Sequence, residues 1–119
     1  MGIRVLCLVG GSTKYEQWKQ LYQGVEIVIS TPGTLIEMLR KKALNLWTRC
    51  SFLVIDEADE MFKMGFEYQV RMVVAQIRPD RQTLFFSATF KEKIEKFCED
   101  ILTDPIKINV GQSGVVGSL

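Results

Sequence analysis

The sequence predicts an α/β fold in which a mainly parallel sheet of about five strands carries helices on both faces. Short apolar runs rich in β-branched residues alternate with amphipathic segments along the 119 residues, and this alternation is typical of βαβ units. Most of the apolar runs end in small or polar residues, which would lie together at the carboxyl edge of a parallel sheet, where ligands bind. A chain of this length is enough for one domain with one core.

The first third of the chain contains two predicted strands with a helix between them. Residues 4–9 form an apolar run that ends at a pair of glycines, which predicts a strand followed by a turn. Thr13 and Glu16 have the spacing of a capping box, so we expect a helix that begins near them and ends at Gly24. Residues 25–30 are predicted to be the second strand.

The middle of the chain contains a second helix and a third strand. Thr31 as N-cap and Pro32 at the first helical position predict the helix, and a basic run at 40–42 lies near its C-terminal end. The uninterrupted apolar run at 52–55 predicts a strand that is buried on both faces.

The last third contains two further helices and two further strands. Apolar residues within 66–77 recur at i, i+4, i+7 and i+11, which predicts an amphipathic helix. Residues 83–86 are the predicted fourth strand. Thr89 and Glu92 form a second capping box, and we expect a fifth strand at 106–110 after the helix that they begin.

Composition limits the possible functions. Lys and Arg number 15 against 14 Asp and Glu, so nucleic-acid binding would depend on local groups rather than on a general basic field. The sequence contains no histidine, which excludes Ser-His-Asp and Cys-His catalysis within it. No apolar run approaches the length of a membrane span, so we expect no membrane partner.

The three cysteines indicate a reducing compartment. Cys7, Cys50 and Cys98 are odd in number, widely spaced and beside apolar runs, so we expect buried free thiols in an intracellular protein. There is no CxxC pair, which makes a structural zinc site an unfavourable interpretation.

Four successive strand ends carry small or polar residues. Each alone is explained by a turn, a helix cap or acids near the positive end of a helix, but together they favour a ligand-binding edge. An Asp-Glu pair at a strand end is also where a P-loop enzyme holds Mg²⁺ and positions an attacking water. The four groups are Gly10-Gly11, Thr31-Pro32-Gly33, Asp56-Glu57-Ala58-Asp59 and Ser87-Ala88-Thr89.

In this order the four groups resemble the motifs of DEAD-box ATP-dependent RNA helicases. VIDEAD at 54–59 resembles motif II, SAT at 87–89 motif III, TPG at 31–33 motif Ib, and the glycine pair the GG element. The resemblance covers roughly residues 4–110 and is nearest to the spliceosome-associated branch, which favours the nucleus over the cytoplasm.

The resemblance implies a partial RecA-like (P-loop NTPase) domain. Residues 1–110 would be the C-terminal portion of the first RecA-like domain of the helicase, and the Gly/Ser-rich residues 111–119 a linker or tail. The partners implied are the RNA backbone and a second RecA-like domain, which is absent from this sequence.

The resemblance also implies the cofactors ATP and Mg²⁺ and a role for each acid. Asp56 would hold Mg²⁺ with Glu57 nearby, and Glu57 would orient and deprotonate the attacking water. Asp59 would bond to the hydroxyls of Ser87 and Thr89 and so connect the nucleotide site to closure of the two domains. The coupling set consists of Asp59, Ser87, Ala88 and Thr89.

The glycines and the second helix N-terminus would lie along the RNA backbone. Glycine lets a phosphate approach main-chain N–H groups, and a helix N-terminus favours anions. The family usually has TPGR where this chain has Thr34, so one phosphate-contacting cation is lost; the basic run at 40–42 could replace it, although such runs are usually solvated faces. The implied contacts are Gly10, Gly11, Thr31, Pro32, Gly33 and Thr34.

The sequence has no GxxxxGK[ST] phosphate loop, because the lysine of GGSTK follows the Ser-Thr pair instead of preceding it. In the family that loop, the Q motif and motif Ia lie upstream of the GG element. We therefore expect a parent protein that couples ATP hydrolysis to RNA unwinding or RNP remodelling, and no activity from residues 1–119 alone. The alternatives are a truncated, non-catalytic RNA- or protein-binding module, or an unrelated flavodoxin-like domain, which would leave SAT and TPG unexplained.

Overall fold

A computed structural model of the chain describes residues 2–10 and 14–111. Strands and helices alternate as the sequence predicts, which confirms the α/β class. In chain order the elements are β1 (Val5–Leu8), α1 (Lys14–Gln23), β2 (Ile27–Ser30), α2 (Pro32–Arg40), α3 (Leu46–Arg49), β3 (Phe52–Ile55), α4 (Ala58–Lys63), α5 (Glu67–Val74), β4 (Gln82–Phe85) and α6 (Glu92–Ile101).

The strands form two parallel pairs. β1 pairs with β2 so that Leu8 lies opposite Ser30, and β3 pairs with β4 so that Ile55 lies opposite Phe85. Helix α1 makes the crossover in the first pair, and α4 and α5 make it in the second, as parallel neighbours require. Within the described residues the two pairs are separate two-stranded sheets rather than one sheet of five strands.

The predicted fifth strand at 106–110 is not formed in this structure. Ile106 and Val110 are 74% and 66% exposed, and no described strand pairs with this segment. A strand is stabilised by hydrogen bonds to a neighbour, and the β-branched composition alone does not supply one. The segment instead lies near the residues that precede α6, where the Lys107 ammonium is 4.2 Å from the centre of the Phe90 ring.

Three clusters of buried apolar side chains hold the elements together. The largest joins β3 and β4 to α5 and α6 and contains Phe85 and Phe97, both almost fully buried. A second packs α1 and α2 against β1 around Leu8 and Met38. The third joins α2 to α5 through residues such as Ile36, so the two strand pairs belong to one packed body.

Only one face of each strand pair is covered by helices in the part of the chain that the structure describes. The buried strand residues alternate with exposed ones, as side chains do along a strand. The expectation that residues 52–55 are buried on both faces is therefore wrong here, because Phe52 is 51% exposed. The exposed apolar strand residues are Val5, Ile27, Ile29, Phe52 and Val54.

The cysteines are free, as predicted, but they differ in burial. Cys98 is buried in α6, where desolvation, with help from the charges of Glu95 and Glu99, raises its pKa to about 11. Cys50 is half-buried, whereas Cys7 lies on the open face of β1 and is exposed. The prediction of three buried thiols is therefore wrong for Cys7.

Candidate functional site

The carboxyl ends of β3 and β4 lie side by side and are joined by main-chain hydrogen bonds. The Phe86 N–H donates to the Ile55 carbonyl at 2.8 Å, and the Ala58 N–H donates to the Phe86 carbonyl at 3.1 Å. These bonds continue the strand pairing past its last register position. They bring the acidic group at 56–59 beside the SAT group at 87–89.

A sharp turn at Glu57 leaves the first two side chains of the group at 56–59 exposed and the last two buried. Glu57 has left-handed backbone angles, with φ of 52° and ψ of 46°, which are uncommon for a residue other than glycine and cost about 1–3 kcal/mol. Asp56 and Glu57 are exposed, whereas Ala58 and Asp59 are buried at the start of α4. The Asp56 carboxylate accepts a hydrogen bond from the Glu57 N–H at 2.9 Å and so fixes the turn.

The outward side chains fit a magnesium ion. Asp56 and Glu57 present carboxylate oxygens to solvent, and Mg²⁺ in nucleotide enzymes is held by one or two carboxylates together with waters and substrate phosphates. No group of three His, Cys, Asp or Glu side chains suited to a metal occurs among residues 2–10 and 14–111. The donor set therefore fits an ion that is also held by a phosphate, rather than an all-protein metal site.

Asp59 connects the two turns through a buried hydrogen-bond network. One of its oxygens accepts from the Thr89 hydroxyl at 3.1 Å and from the Thr89 N–H at 3.2 Å. The other accepts from the Glu60 N–H at 3.0 Å. The expected contact of Asp59 with Thr89 is thus present, between side chains 30 positions apart in the chain.

The pKa of Asp59 is lowered in this network. Burial opposes the charged form and on its own would raise the pKa. Hydrogen bonds from the Thr89 hydroxyl, from the N–H groups of Glu60 and Thr89, and to a smaller extent from Ser87 outweigh burial and hold the pKa below its ordinary value. Asp59 is therefore a charged acceptor in the folded protein at neutral pH.

Ser87 and Thr89 differ in their contacts. The Ser87 hydroxyl donates to the Thr89 carbonyl at 2.6 Å, so its shortest contact braces the turn, and Ser87 also contributes to the lowered pKa of Asp59. Thr89 does not cap the following helix. That helix begins at Glu92 with Lys91 as N-cap and no side-chain capping bond, because the Thr89 hydroxyl is already directed to Asp59. The predicted second capping box is therefore wrong.

The carboxyl ends of β1 and β2 form the other part of the predicted site. Thr31 is the N-cap of α2 and Pro32 follows at its start, as predicted. The Thr31 side chain makes no capping bond to the helix; its hydroxyl donates to the Thr34 hydroxyl at 3.1 Å. Thr31 is exposed, so it is accessible to a ligand at this edge.

Gly10 and Gly33 have open space where a side chain would be. A Cβ atom added at either position would meet no atom within 4 Å, and neither residue has a positive φ. Neither backbone conformation nor packing against described residues therefore explains why these positions are glycine. Gly11 and Thr13, which the sequence placed in the RNA contact and in the first capping box, lie outside the described residues.

The basic run at 40–42 does not lie at this edge. It is at the C-terminal end of α2, and the rise of a helix places it roughly 12 Å along the axis from the Thr31–Thr34 turn. The run therefore does not replace the cation that is missing at position 34. No hydrogen bond or ion pair in the described part of the chain joins residues 31–34 to residues 56–59 or 87–89.

Arg81 is a structural residue that sequence reasoning did not single out. Its guanidinium donates to the Thr83 hydroxyl, to the Arg78 carbonyl and to the Ile101 carbonyl at 3.1–3.3 Å. It thereby connects the start of β4 to the last residue of α6. No local pattern in the sequence indicates this role, because the Ile101 carbonyl lies 20 positions further along the chain.

Solved structures with the same arrangement are RecA-like helicase domains, so this chain has a partial RecA-like fold. A DEAD box protein from Methanococcus jannaschii matches with a TM-score of 0.81 and 31% identity, over 87% of this chain and 28% of that one. The yeast DEAD-box splicing factor Prp28 matches with a TM-score of 0.78 and 34% identity, over 85% of this chain and 23% of that one.

The DEAD/DEAH box helicase family model matches residues 1–97, and the chain belongs to this family. DEAD-box ATP-dependent RNA helicase 24 of Arabidopsis thaliana is 57% identical over 96% of the chain, and human ATP-dependent RNA helicase DDX42 is 56% identical over 94%. The chain spans only 15% and 12% of the length of these two relatives. Among the described helices none is both long and apolar enough to cross a membrane.

Proposed function

We propose that this chain is part of an ATP-dependent RNA helicase, in which it supplies the water-handling and Mg²⁺-handling side of the nucleotide site. The main support for this proposal is the buried Asp59–Thr89 network, which holds the exposed Asp56-Glu57 turn in a fixed position beside the SAT turn. The parent protein would couple ATP hydrolysis to RNA duplex unwinding or RNP remodelling. Residues 1–110 would belong to its first RecA-like domain.

Asp56 and Glu57 would divide the chemistry of phosphoryl transfer between them. When bound, Mg²⁺ neutralises charge that develops on the β- and γ-phosphates of ATP. The Asp56 carboxylate would hold the ion, directly or through water. The Glu57 carboxylate would orient the attacking water and accept its proton, which requires an exposed side chain held by a fixed backbone such as the one observed.

The Asp59–Thr89 network would couple the nucleotide site to the second RecA-like domain. Asp59 lies two residues after Glu57, and its partner Thr89 lies on the neighbouring turn. A movement of the SAT turn when the two domains close would therefore be transmitted to Asp59 and through α4 to Glu57. Ser87 would take part by bracing that turn, in which Ala88 lies between Ser87 and Thr89.

The carboxyl edge of β1 and β2 would contact the RNA backbone. Gly10 and Gly33 leave room for a phosphate to approach main-chain N–H groups, and nothing in the described protein fills that room. Beside it lies the start of α2, where Thr31 is exposed and Pro32 and Thr34 are half-buried. Contacts of this kind recognise the shape of the backbone rather than base sequence.

The decisive experiment is Glu57→Gln in the full-length protein. Loss of the base with retention of shape should lower RNA-stimulated ATP turnover by about 100-fold or more while ATP and RNA still bind. The matched control is Glu60→Gln, which removes a neighbouring exposed carboxylate that pairs with Lys63. Turnover that is equal in the two variants would refute the assignment of Glu57.

We also propose a nuclear location. The support is the similarity to Prp28, a splicing factor in yeast. Fluorescence microscopy of the tagged full-length protein in its own cells tests this, and uniform cytoplasmic signal would contradict it.

A further inference from the structure

A groove of about 470 Å³ lies at the end of the molecule opposite the proposed nucleotide and RNA edge. It lies between the end of α2, the turn that leads into α3, and the end of α5. The C-terminal end of α2 and the segments that lead into β3 and β4 all lie at the amino edge of the strands. The groove is therefore separate from residues 31–34, 56–59 and 87–89. Its apolar lining consists of Leu39, Leu44, Leu46, Trp47 and Ala75.

The walls of the groove are fixed by main-chain hydrogen bonds. Lys42, which lines the groove, has a left-handed φ of 56° and donates its N–H to the Leu39 carbonyl at 3.0 Å. The Asn45 side chain caps α3 by accepting from the Thr48 N–H at 3.1 Å. Arg78 donates to the Thr48 carbonyl at 3.4 Å, which connects α3 to the segment between α5 and β4. A groove with such walls exists before any ligand binds.

Trp47 is the main apolar side chain that the groove exposes. It is 58% exposed, although tryptophan gains more from burial than almost any other residue. Tryptophan is also among the residues that contribute most to protein–protein binding when they are covered by a partner. An exposed tryptophan beside leucine side chains is therefore a suitable contact for an apolar side chain of a ligand.

Positive charge outnumbers negative charge in the segment around the groove. Residues 38–55 contain four Lys or Arg residues and no Asp or Glu, although the whole chain has a net charge of only +1. Lys41 pairs with Glu37 at 3.6 Å. Arg40, Lys42 and Arg49 form no ion pair with any residue that the structure describes. The charge of the groove therefore complements an acidic ligand.

We propose that this groove binds a short acidic segment with large apolar residues, supplied by a partner protein. Apolar side chains of the segment pack against Trp47 and the leucines, and its carboxylates pair with Lys42 and the neighbouring cations. The lining favours a peptide over RNA, because single-stranded RNA is usually bound by several aromatic side chains that stack on successive bases. Trp47 is the only aromatic residue among the described residues that line the groove.

Fluorescence polarisation with the full-length protein tests the proposal. The probe is a labelled synthetic peptide of about ten residues in which Asp and Glu alternate with Leu and Phe. We expect saturable binding that weakens about ten-fold or more in Trp47→Ala and in Lys42→Glu. A peptide with amides in place of the carboxylates, and one with Ser in place of Leu and Phe, should each bind much more weakly.

Matched control variants distinguish binding in the groove from nonspecific binding and from loss of folding. Trp18→Ala removes another exposed tryptophan, and Lys96→Glu reverses another exposed cation on α6; both should leave peptide binding unchanged. Because Trp47 and Lys42 are exposed, the melting temperature should change little in either groove variant. Absence of saturable binding, or equal loss in the control variants, would overturn the proposal.

The same variants decide between peptide and RNA. Binding of a single-stranded oligouridine should be unaffected by Trp47→Ala and by Lys42→Glu if the groove is a peptide site. If these variants weaken RNA binding as much as peptide binding, the groove is an RNA surface and the proposal is wrong.

Discussion

The two strand pairs organise their carboxyl edges in opposite ways. At the edge of β3 and β4 the turns are tied by a buried carboxylate and by main-chain bonds that extend the pairing. At the edge of β1 and β2, Gly10, Thr31 and Gly33 are exposed, and the Thr31 side chain makes no capping hydrogen bond to α2. The first edge is ordered by the protein itself, whereas the second has space and donors that remain for a ligand.

This difference fits the two tasks proposed for the edges. Chemistry on a phosphate needs groups that are already positioned, because reorganisation during the reaction raises the barrier. Contact with a nucleic-acid backbone of any sequence needs access and main-chain donors more than fixed side chains. The following changes would test the contrast, from the largest expected effect to the smallest.

Phe97→Ala should destabilise the protein most, because it removes the centre of the cluster that supports β3 and β4. Phe97 has no exposed surface and meets Phe62 edge to face with ring centres 5.0 Å apart. We expect the free energy of unfolding to fall by about 3–5 kcal/mol, measured by urea denaturation. Phe52→Ala, on the open face, is the control and should cost much less; equal losses would contradict the packing described above.

Thr89→Val should destabilise the carboxyl edge of β3 and β4 without creating a cavity. The change removes the hydroxyl that donates to Asp59 at 3.1 Å, and leaving a buried acceptor short of a donor costs about 1–3 kcal/mol. The free energy of unfolding and the helicase activity of the full-length protein should both decrease. Thr83→Val, which removes a hydroxyl that accepts from Arg81, is the control, because it should lower stability without lowering activity.

Thr89→Val should also change the response to acid. Because the folded-state pKa of Asp59 is below its ordinary value of 3.8, the charged carboxylate stabilises the fold above that value. This contribution is lost as pH falls from about the ordinary value through the folded pKa. In Thr89→Val the pKa should rise toward the ordinary value, so stability should fall less steeply as the pH drops below about 4. Identical pH profiles for the two proteins would contradict the role of Thr89.

Gly33→Ala should raise stability but weaken RNA binding at the carboxyl edge of β1 and β2. Gly33 lies in the first turn of α2 with no atom near an added Cβ, so alanine should stabilise the helix by about 0.5–1 kcal/mol. The same methyl group should hinder a phosphate and weaken RNA binding by the full-length protein in a filter-binding assay. Gly65→Ala is a contrasting control, because its φ of 82° should make alanine destabilising there. Unchanged RNA affinity in Gly33→Ala would remove the support for a phosphate contact.

The ion pair of Arg4 with Glu26 should have the smallest effect on stability. The two side chains are exposed at the amino edge of β1 and β2 and meet at 2.7 Å. Hydrogen bonds from the Arg4 side chain and N–H lower the pKa of Glu26 to about 2. In Arg4→Gln, NMR titration should place this pKa nearer 4.5, while the melting temperature changes little because exposed pairs contribute little. A large loss of stability would contradict this expectation and would show that the part of the molecule around β1 and β2 depends on surface charge.

The elements could be predicted because their signals are local. The apolar periodicity of 66–77 and the Thr31-Pro32 start signal each lie within one segment, and α5 and α2 form where they indicate. The position of Asp56 and Glu57 after β3 follows from the order of apolar and acidic residues along the chain. The motif spacing in turn led to the correct family.

The predictions that were wrong concern residues whose contacts are distant in sequence. Residues 106–110 have the composition of a strand, but no strand among residues 2–10 and 14–111 lies beside them. Thr89 has capping spacing to Glu92, yet a buried carboxylate 30 residues earlier is the acceptor of its hydroxyl. The left-handed turn at Glu57 follows no local rule, since glutamate is not a residue that favours it.

That turn places two selective demands on one position. Glycine would adopt the backbone of residue 57 at little cost, so a library screened for thermal stability alone should enrich glycine there. Glycine has no carboxylate, so a library screened for ATP turnover should retain glutamate. Under the role proposed for Glu57, the strain at this residue is the stability that the protein gives up to hold the carboxylate in place.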